Sequence, residues 1–198
     1  MLSSSKYLKI NKIFKIEYPI LLLSSILGMF IMISSNDLMV FYLGLELQSL
    51  ALYVLASFKR NDQLSSESGL KYFVLSALSS GLLLYGCSLI YGFSGSTNFD
   101  QISNNISEVQ YGLTLGIVFI LVGLAFKISA VPFHMWAPDV YQGSPTSVTI
   151  FFAILPKIAA LSVFIRFLYV PFINLIDQWQ TIIIFVSIAS MVFGAVAA

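Results

Sequence analysis

The sequence predicts an all-α, polytopic transmembrane helix bundle with six helices, one of them broken. Three observations carry that prediction. Hydrophobic residues make up 58% of the 198-residue chain and charged residues 10%, against about 25% charged in a soluble domain. Mean hydropathy is +0.91. The apolar residues also fall in continuous runs near the roughly 20 residues that a helix needs to cross a hydrocarbon core of about 30 Å. A membrane barrel would show shorter segments of alternating polarity.

Residues 3–19 read SSSKYLKINKIFKIEYP, with Lys6, Lys9, Lys12 and Lys15 set among Leu8, Ile10, Ile13, Phe14 and Ile16. Residues 1–17 read as a basic interfacial segment on the membrane surface with snorkelling lysines. The stretch lacks arginine and runs straight into a span, which argues against a transit peptide. Runs 18–35 and 38–58 follow, joined by Asn36 and Asp37. The third run, 69–93, has Lys71 at its start, placed to snorkel, and Ser79, Ser80, Gly81 and Gly86 suited to close helix packing. The loop 94–110 carries Asp100 and Glu108 but no Lys or Arg. A fourth run, 111–131, breaks at Pro132. Runs 147–170 and 175–198 complete the set. The single cysteine, Cys87, cannot form an internal disulfide and reads as a small buried apolar residue.

Basic residues set the orientation. The N-terminal lysines, Lys59 and Arg60 fall on one side, together with the loop carrying His134 and Asp139. That side is therefore the cytoplasm or mitochondrial matrix. Arg166, near the opposite side, is an exception.

Function is read from charges at depth. Glu46 lies about 12 Å into the second run and Lys157 about 15 Å into the fifth, both near the midplane. Neither snorkels easily, so each should face the protein interior beside a partner or water. Lys127 is about 24 Å along the fourth run. It either snorkels or, because Phe133, Met135 and Trp136 continue the apolar pattern past Pro132, sits at an intramembrane break stabilised by free carbonyls. Burial disfavours the charged form of such groups, so Glu46, Lys127 and Lys157 suit a relay of protonatable side chains. The competing reading is a static ion pair that fixes helix register; two lysines and a break favour transport. His134 is a candidate relay because an imidazole titrates near physiological pH, with an interfacial structural role as the alternative. A lone histidine without a Cys, Asp or Glu cluster forms no metal site. Asp139 and Ser144 read as capping and turn residues around Pro138, Gly143 and Pro145. Pro156 either opens a backbone gap beside Lys157 or kinks the helix.

The segments LGLELQSLALYVLASFKR (43–60), SGLKYFVLSALSSGLLLYGCSLIYG (68–92), FKISAVPFHMWAPDVYQGSPTSVTIFFAILPKIA (126–159) and SIASMVFGA (187–195) strongly resemble the subunit 2 family of NADH dehydrogenase, respiratory complex I. The resemblance covers nearly everything after Asn36. It implies an antiporter-like membrane subunit built from two inverted five-helix repeats, each with a broken helix, and a polar axis along the midplane. Glu46 would match the family's helix-borne glutamate, Lys127 the lysine at the broken helix and Lys157 the next lysine of the axis. More distant antiporter-like subunits carry a histidine at the last of these positions. The implied division is a five-helix repeat over 18–170 and the first helix of an incomplete second repeat over 171–198.

The resemblance further implies proton-translocating NADH:ubiquinone reductase activity at the level of the complex, with no redox site in this chain. One cysteine and no Gly-rich phosphate loop leave no place for an iron–sulfur cluster, FMN or NADH. Those groups and ubiquinone would be held by other subunits. The expected partners are other membrane-arm subunits, membrane lipid and a separate chain carrying the C-terminal half, with no nucleic acid. The mitochondrial inner membrane is the expected location, N-terminus in the matrix, with the bacterial plasma membrane as the alternative. A cation/proton antiporter of the same ancestry and a scaffold with static buried charges are the competing functions.

Overall fold

The computed structural model describes residues 15–106 and 111–197, and among them every regular element is helical. The predicted basic segment 1–17 lies almost wholly outside the described residues, as does Glu108. Six helices are long and apolar enough to cross a membrane. They are α1 (Glu17–Ser34), α2 (Leu38–Ala56), α3 (Gln63–Ser94), α5 (Tyr111–Ile128), α7 (Thr146–Tyr169) and α8 (Ile176–Ala197). Two short helices join them, α4 (Phe99–Asn105) and α6 (Trp136–Gly143).

Polar joints set the helix starts. Asp37 caps α2 by accepting from the Met39 amide at 2.8 Å, and Asp62 caps α3 by accepting from Leu64 at 3.2 Å. Helix α3 thus begins six residues before the apolar run, and its 32 residues extend about 48 Å. Its first turns stand beyond the hydrocarbon core. Lys71 is therefore eight residues inside the helix rather than at its start. The loop 94–110 also holds more structure than its polarity suggests: Asn98 caps α4, which buries Phe99 and Ile102 against the bundle end.

The expected break is present and starts earlier than Pro132. Helix α5 ends at Ile128, Ser129 adopts φ 57°, and the chain resumes helix only at Trp136. The region around Asp139 is consequently the short helix α6 rather than a simple turn.

Small residues let the helices approach. A Cβ on Gly28 would lie 2.6 Å from the Gln48 amide nitrogen, and one on Gly86 would lie 2.7 Å from the Gly116 carbonyl oxygen. Contacts this short require glycine at the α1–α2 and α3–α5 crossings. Gly81, grouped with Ser79, Ser80 and Gly86 by sequence, faces open space instead.

The core divides into two layers. Towards the α4 end, aliphatic residues and phenylalanines predominate, including Met32, Leu45, Leu83, Ile120 and Phe167. Towards the α6 end the layer is aromatic, with Tyr18, Tyr53, Tyr72, Trp136 and Phe152. Along α1 the layers are separated at 23–28, along α2 at 46–51, along α3 at 73–82 and along α7 at 153–158. Polar residues of these helices occupy that gap.

Candidate functional site

The gap between the two apolar layers contains Ser25, Glu46, Gln48, Ser49, Ser76, Ser79, Ser80 and Lys157, and Lys127 reaches into it from α5. Lys127 is 7% exposed. Its Nζ donates to Ser49 Oγ at 2.8 Å and to Ser76 Oγ at 2.6 Å. Tyr53 Oη donates to the same Ser76 oxygen at 2.6 Å, and the Tyr53 ring centroid lies 5.9 Å from Nζ. The lysine is thus buried, as its place at the break predicts, and does not snorkel.

Glu46 is half-buried on α2, one helical turn before Ser49, the residue that accepts from Lys127. It makes no ion pair with either lysine: among the described residues, none of the salt bridges involves Glu46, Lys127 or Lys157. Glu46 Oε1, Gln48 Oε1 and Ser80 Oγ are buried without a hydrogen-bond partner. Buried polar atoms left open in this way are where internal water is found.

Lys157 stands apart from Lys127. It is half-buried on α7 and lines a cavity of about 430 Å³ between α5, α7 and α8, together with Ser129, Ser187 and Ser190. Its Nζ lies 5.5 Å from the Tyr141 ring centroid. Pro156 lies within α7, so the helix lacks the amide that would bond to the Phe152 carbonyl one turn back. The region after the break also touches α8, since the Val131 amide donates to Ser190 Oγ at 3.0 Å. His134 lies here too, its ring 4.2 Å from that of Phe193 and its Nδ1 buried without a partner. The structure therefore groups Lys127 near Glu46, and places Lys157 and His134 on the α8 flank.

The residues around the site have other roles than capping. Asp139 accepts from Lys71 at 2.7 Å, and Lys71 also pairs with Glu67 at 2.8 Å, tying α6 to α3. Ser144 Oγ makes no capping bond. On the opposite side Arg166 donates to the Ile33 carbonyl at 2.9 Å and to Asn36 Oδ1 at 3.3 Å, while Asn36 Nδ2 donates to Asp100 at 2.7 Å. This clasp joins α7, the α1–α2 joint and α4, and explains a basic residue on the weakly basic side. Outside the spans, the Lys59 ammonium beside Asp62 holds its carboxyl below the usual range, helped by the Leu64 amide.

Sequence reading passed over Ser49, Ser76, Tyr53 and Tyr141. Ser49 follows Glu46 by three residues, and Ser76, Ser79 and Ser80 share one face of α3, so a polar stripe on an apolar helix was available as a signal. Nothing in the sequence marks Tyr141, which the break alone brings to Lys157.

The family model described as NADH:quinone oxidoreductase/Mrp antiporter, TM matches residues 35–198. NADH-quinone oxidoreductase subunit N of Pelagibacter ubique is 80% identical over 195 residues, 98% of this chain and 41% of that protein. The subunit N of Rhodospirillum rubrum is 57% identical over 201 residues, covering 100% of this chain and 41% of its own length. The chain thus spans about two fifths of these relatives. Among solved structures, a chain of respiratory complex I from Thermus thermophilus with bound aureothin superposes with a TM-score of 0.70 at 39% identity. The match covers 77% of this chain and 34% of that one. A chain of the Mrp complex from a Dietzia species gives 0.71 at 27% identity, covering 78% and 29%.

Proposed function

The chain belongs to the NADH:quinone oxidoreductase/Mrp antiporter family of transmembrane proteins, and from that premise we propose that it supplies half of a proton channel in the membrane arm of a proton-translocating NADH-quinone oxidoreductase. The relatives named subunit N support the complex, and the buried polar layer supports the channel. Its protonatable groups are Glu46, Lys127 and Lys157, with His134 as a relay towards the N-terminal side.

One observation carries this reading: Lys127 is buried among hydroxyls and, among the described residues, pairs with no carboxylate. A static ion pair would hold its ammonium permanently. Hydroxyls accept from an ammonium and, after rotation, donate to a neutral amine, so Ser49 and Ser76 can hold either state. Glu46 lies one helical turn before Ser49 on α2 and, among the described residues, forms no ion pair with Lys127. Redox energy would then enter as a change of field or hydration along the axis, supplied by subunits that bind NADH, FMN, iron–sulfur clusters and ubiquinone. Other membrane-arm subunits and lipid surround the chain. Helix α8 buries only Trp179 among the described residues, and a polypeptide carrying the C-terminal half of the subunit would cover it. The bacterial relatives favour a plasma membrane over a mitochondrial one, the N-terminal side facing the cytoplasm.

The test is proton pumping by the complete oxidoreductase in sealed vesicles. Lys127→Ala and Glu46→Ala should assemble and lower NADH-driven acidification by about tenfold or more, the scale of losing a proton-transfer group. Full pumping in both variants rejects the channel. The likeness to an Mrp complex supports a second reading, cation/proton exchange, which predicts sodium-dependent pH changes in vesicles without NADH.

A further inference from the structure

Lys127 and Lys157 make no direct contact, yet a continuous file of rings runs from one to the other. The Tyr53 ring lies beneath Lys127. Tyr53 meets Tyr72 edge-on at 4.9 Å, and Tyr72 stacks on Trp136 at 4.7 Å and 9°. Trp136 meets Tyr141 edge-on at 6.2 Å and 84°, and the Tyr141 ring lies beneath Lys157. Trp136 is doubly anchored at the Lys127 end, since its Nε1 donates at 2.9 Å to the carbonyl of Phe126, the residue before Lys127.

We infer that Trp136 and Tyr141 are positioning residues that couple Lys127 to Lys157 across the helix break. An aromatic face attracts an ammonium and has little attraction for a neutral amine, so each lysine's grip on its ring depends on its charge. Edge-on and stacked pairs have preferred geometries, so displacement of one ring is felt by the next. Helix α6 carries the last two rings, and its Lys71–Asp139 tie to α3 holds it on the α3 side of the break. Tyr141 Oη has no hydrogen-bond partner among the described residues, and it is the ring face that meets Lys157.

This inference rests on the channel reading, and the experiment separates the two. Pumping by the complete oxidoreductase is measured in proteoliposomes for Lys157→Ala, Tyr141→Phe, Tyr141→Leu, Trp136→Phe and Trp136→Leu, each normalised to assembled complex. Tyr141→Phe keeps the face and should pump as the parent does. Tyr141→Leu keeps apolar bulk and should lose about threefold to tenfold, the scale of a partly exposed cation–π contact. Trp136→Phe should likewise exceed Trp136→Leu. Where a leucine variant does not accumulate, methionine replaces it with the same expectation. Parent-like pumping in Tyr141→Leu overturns the inference, and so does a loss in Tyr141→Phe as large as in Tyr141→Leu, which would assign the work to the hydroxyl. Undiminished pumping in Lys157→Ala instead rejects a channel role for that lysine and removes the basis of the inference.

Discussion

Lys127 and Lys157 are both amines deep in an apolar bundle, and their surroundings are opposites. Lys127 has two serine hydroxyls, a tyrosine face and 7% exposure, within helices whose crossings are too close for any residue but glycine. Lys157 has one tyrosine face and a cavity of about 430 Å³, beside a helix that buries one residue among those described. The contrast teaches that depth alone does not decide how an amine is held. Two hydroxyls fix the position of one, whereas an open cavity leaves the other with room for water or a further side chain.

Exchange of each lysine for arginine tests that contrast most severely. Guanidinium is larger and planar and keeps its proton, so both arginine variants should lower pumping by about tenfold. Lys127→Arg, crowding a site that is 7% exposed, should also lower the amount of assembled complex, whereas Lys157→Arg, opening on the cavity, should accumulate as the parent does. Equal losses of assembled complex would mean that the two sites are equally closed.

Packing offers the next measure. Gly28→Ala places a Cβ 2.6 Å from a backbone nitrogen and should destabilise the protein by about 1–3 kcal/mol, read as a lowered unfolding midpoint in detergent. Gly194→Ala on α8 meets nothing within 4 Å and should shift stability by no more than about 0.5 kcal/mol. A loss at Gly194 to match that at Gly28 would show α8 to be packed as closely as α1.

The smallest effect is expected at the exposed joint between α2 and α3. The folded carboxyl of Asp62 is held below its usual range by Lys59. Its contribution is therefore present above the unfolded value of about 4 and fades as pH falls through the lower folded value. Asp62→Asn should separate slightly from the parent in neutral unfolding curves and converge with it in acid. A gap that widens with acid would reverse the sign.

Much of the architecture was readable because lipid imposes it. Long apolar runs cannot be loops in hydrocarbon, so five of the six spans emerged within a few residues, while α3 gained its polar first turns from the Asp62 cap and from pairing of Lys71 with Glu67 and Asp139. The break was readable too, although Ser129 and not Pro132 marks its start. Glu46, Lys127 and Lys157 stood out because a charge at depth is costly wherever it occurs. Tyr141 did not, and Trp136 registered only as apolar continuation past Pro132, since an aromatic residue looks the same in sequence whether it meets a lysine or a lipid.

The sequence by itself determined the number of spans, the depth of each charge and the family, because these depend on composition, on rise per residue along a single helix and on motif. Tertiary structure alone decided that Lys127 is held by Ser49 and Ser76, that Glu46 forms no ion pair among the described residues, and that Lys157 lies over Tyr141. These facts arise from how helices rotate against one another at glycine crossings and where α6 turns back after the break. Both depend on contacts between residues 23 to 78 positions apart, such as Tyr53 with Ser76 and Ser49 with Lys127, which no local pattern along the chain records.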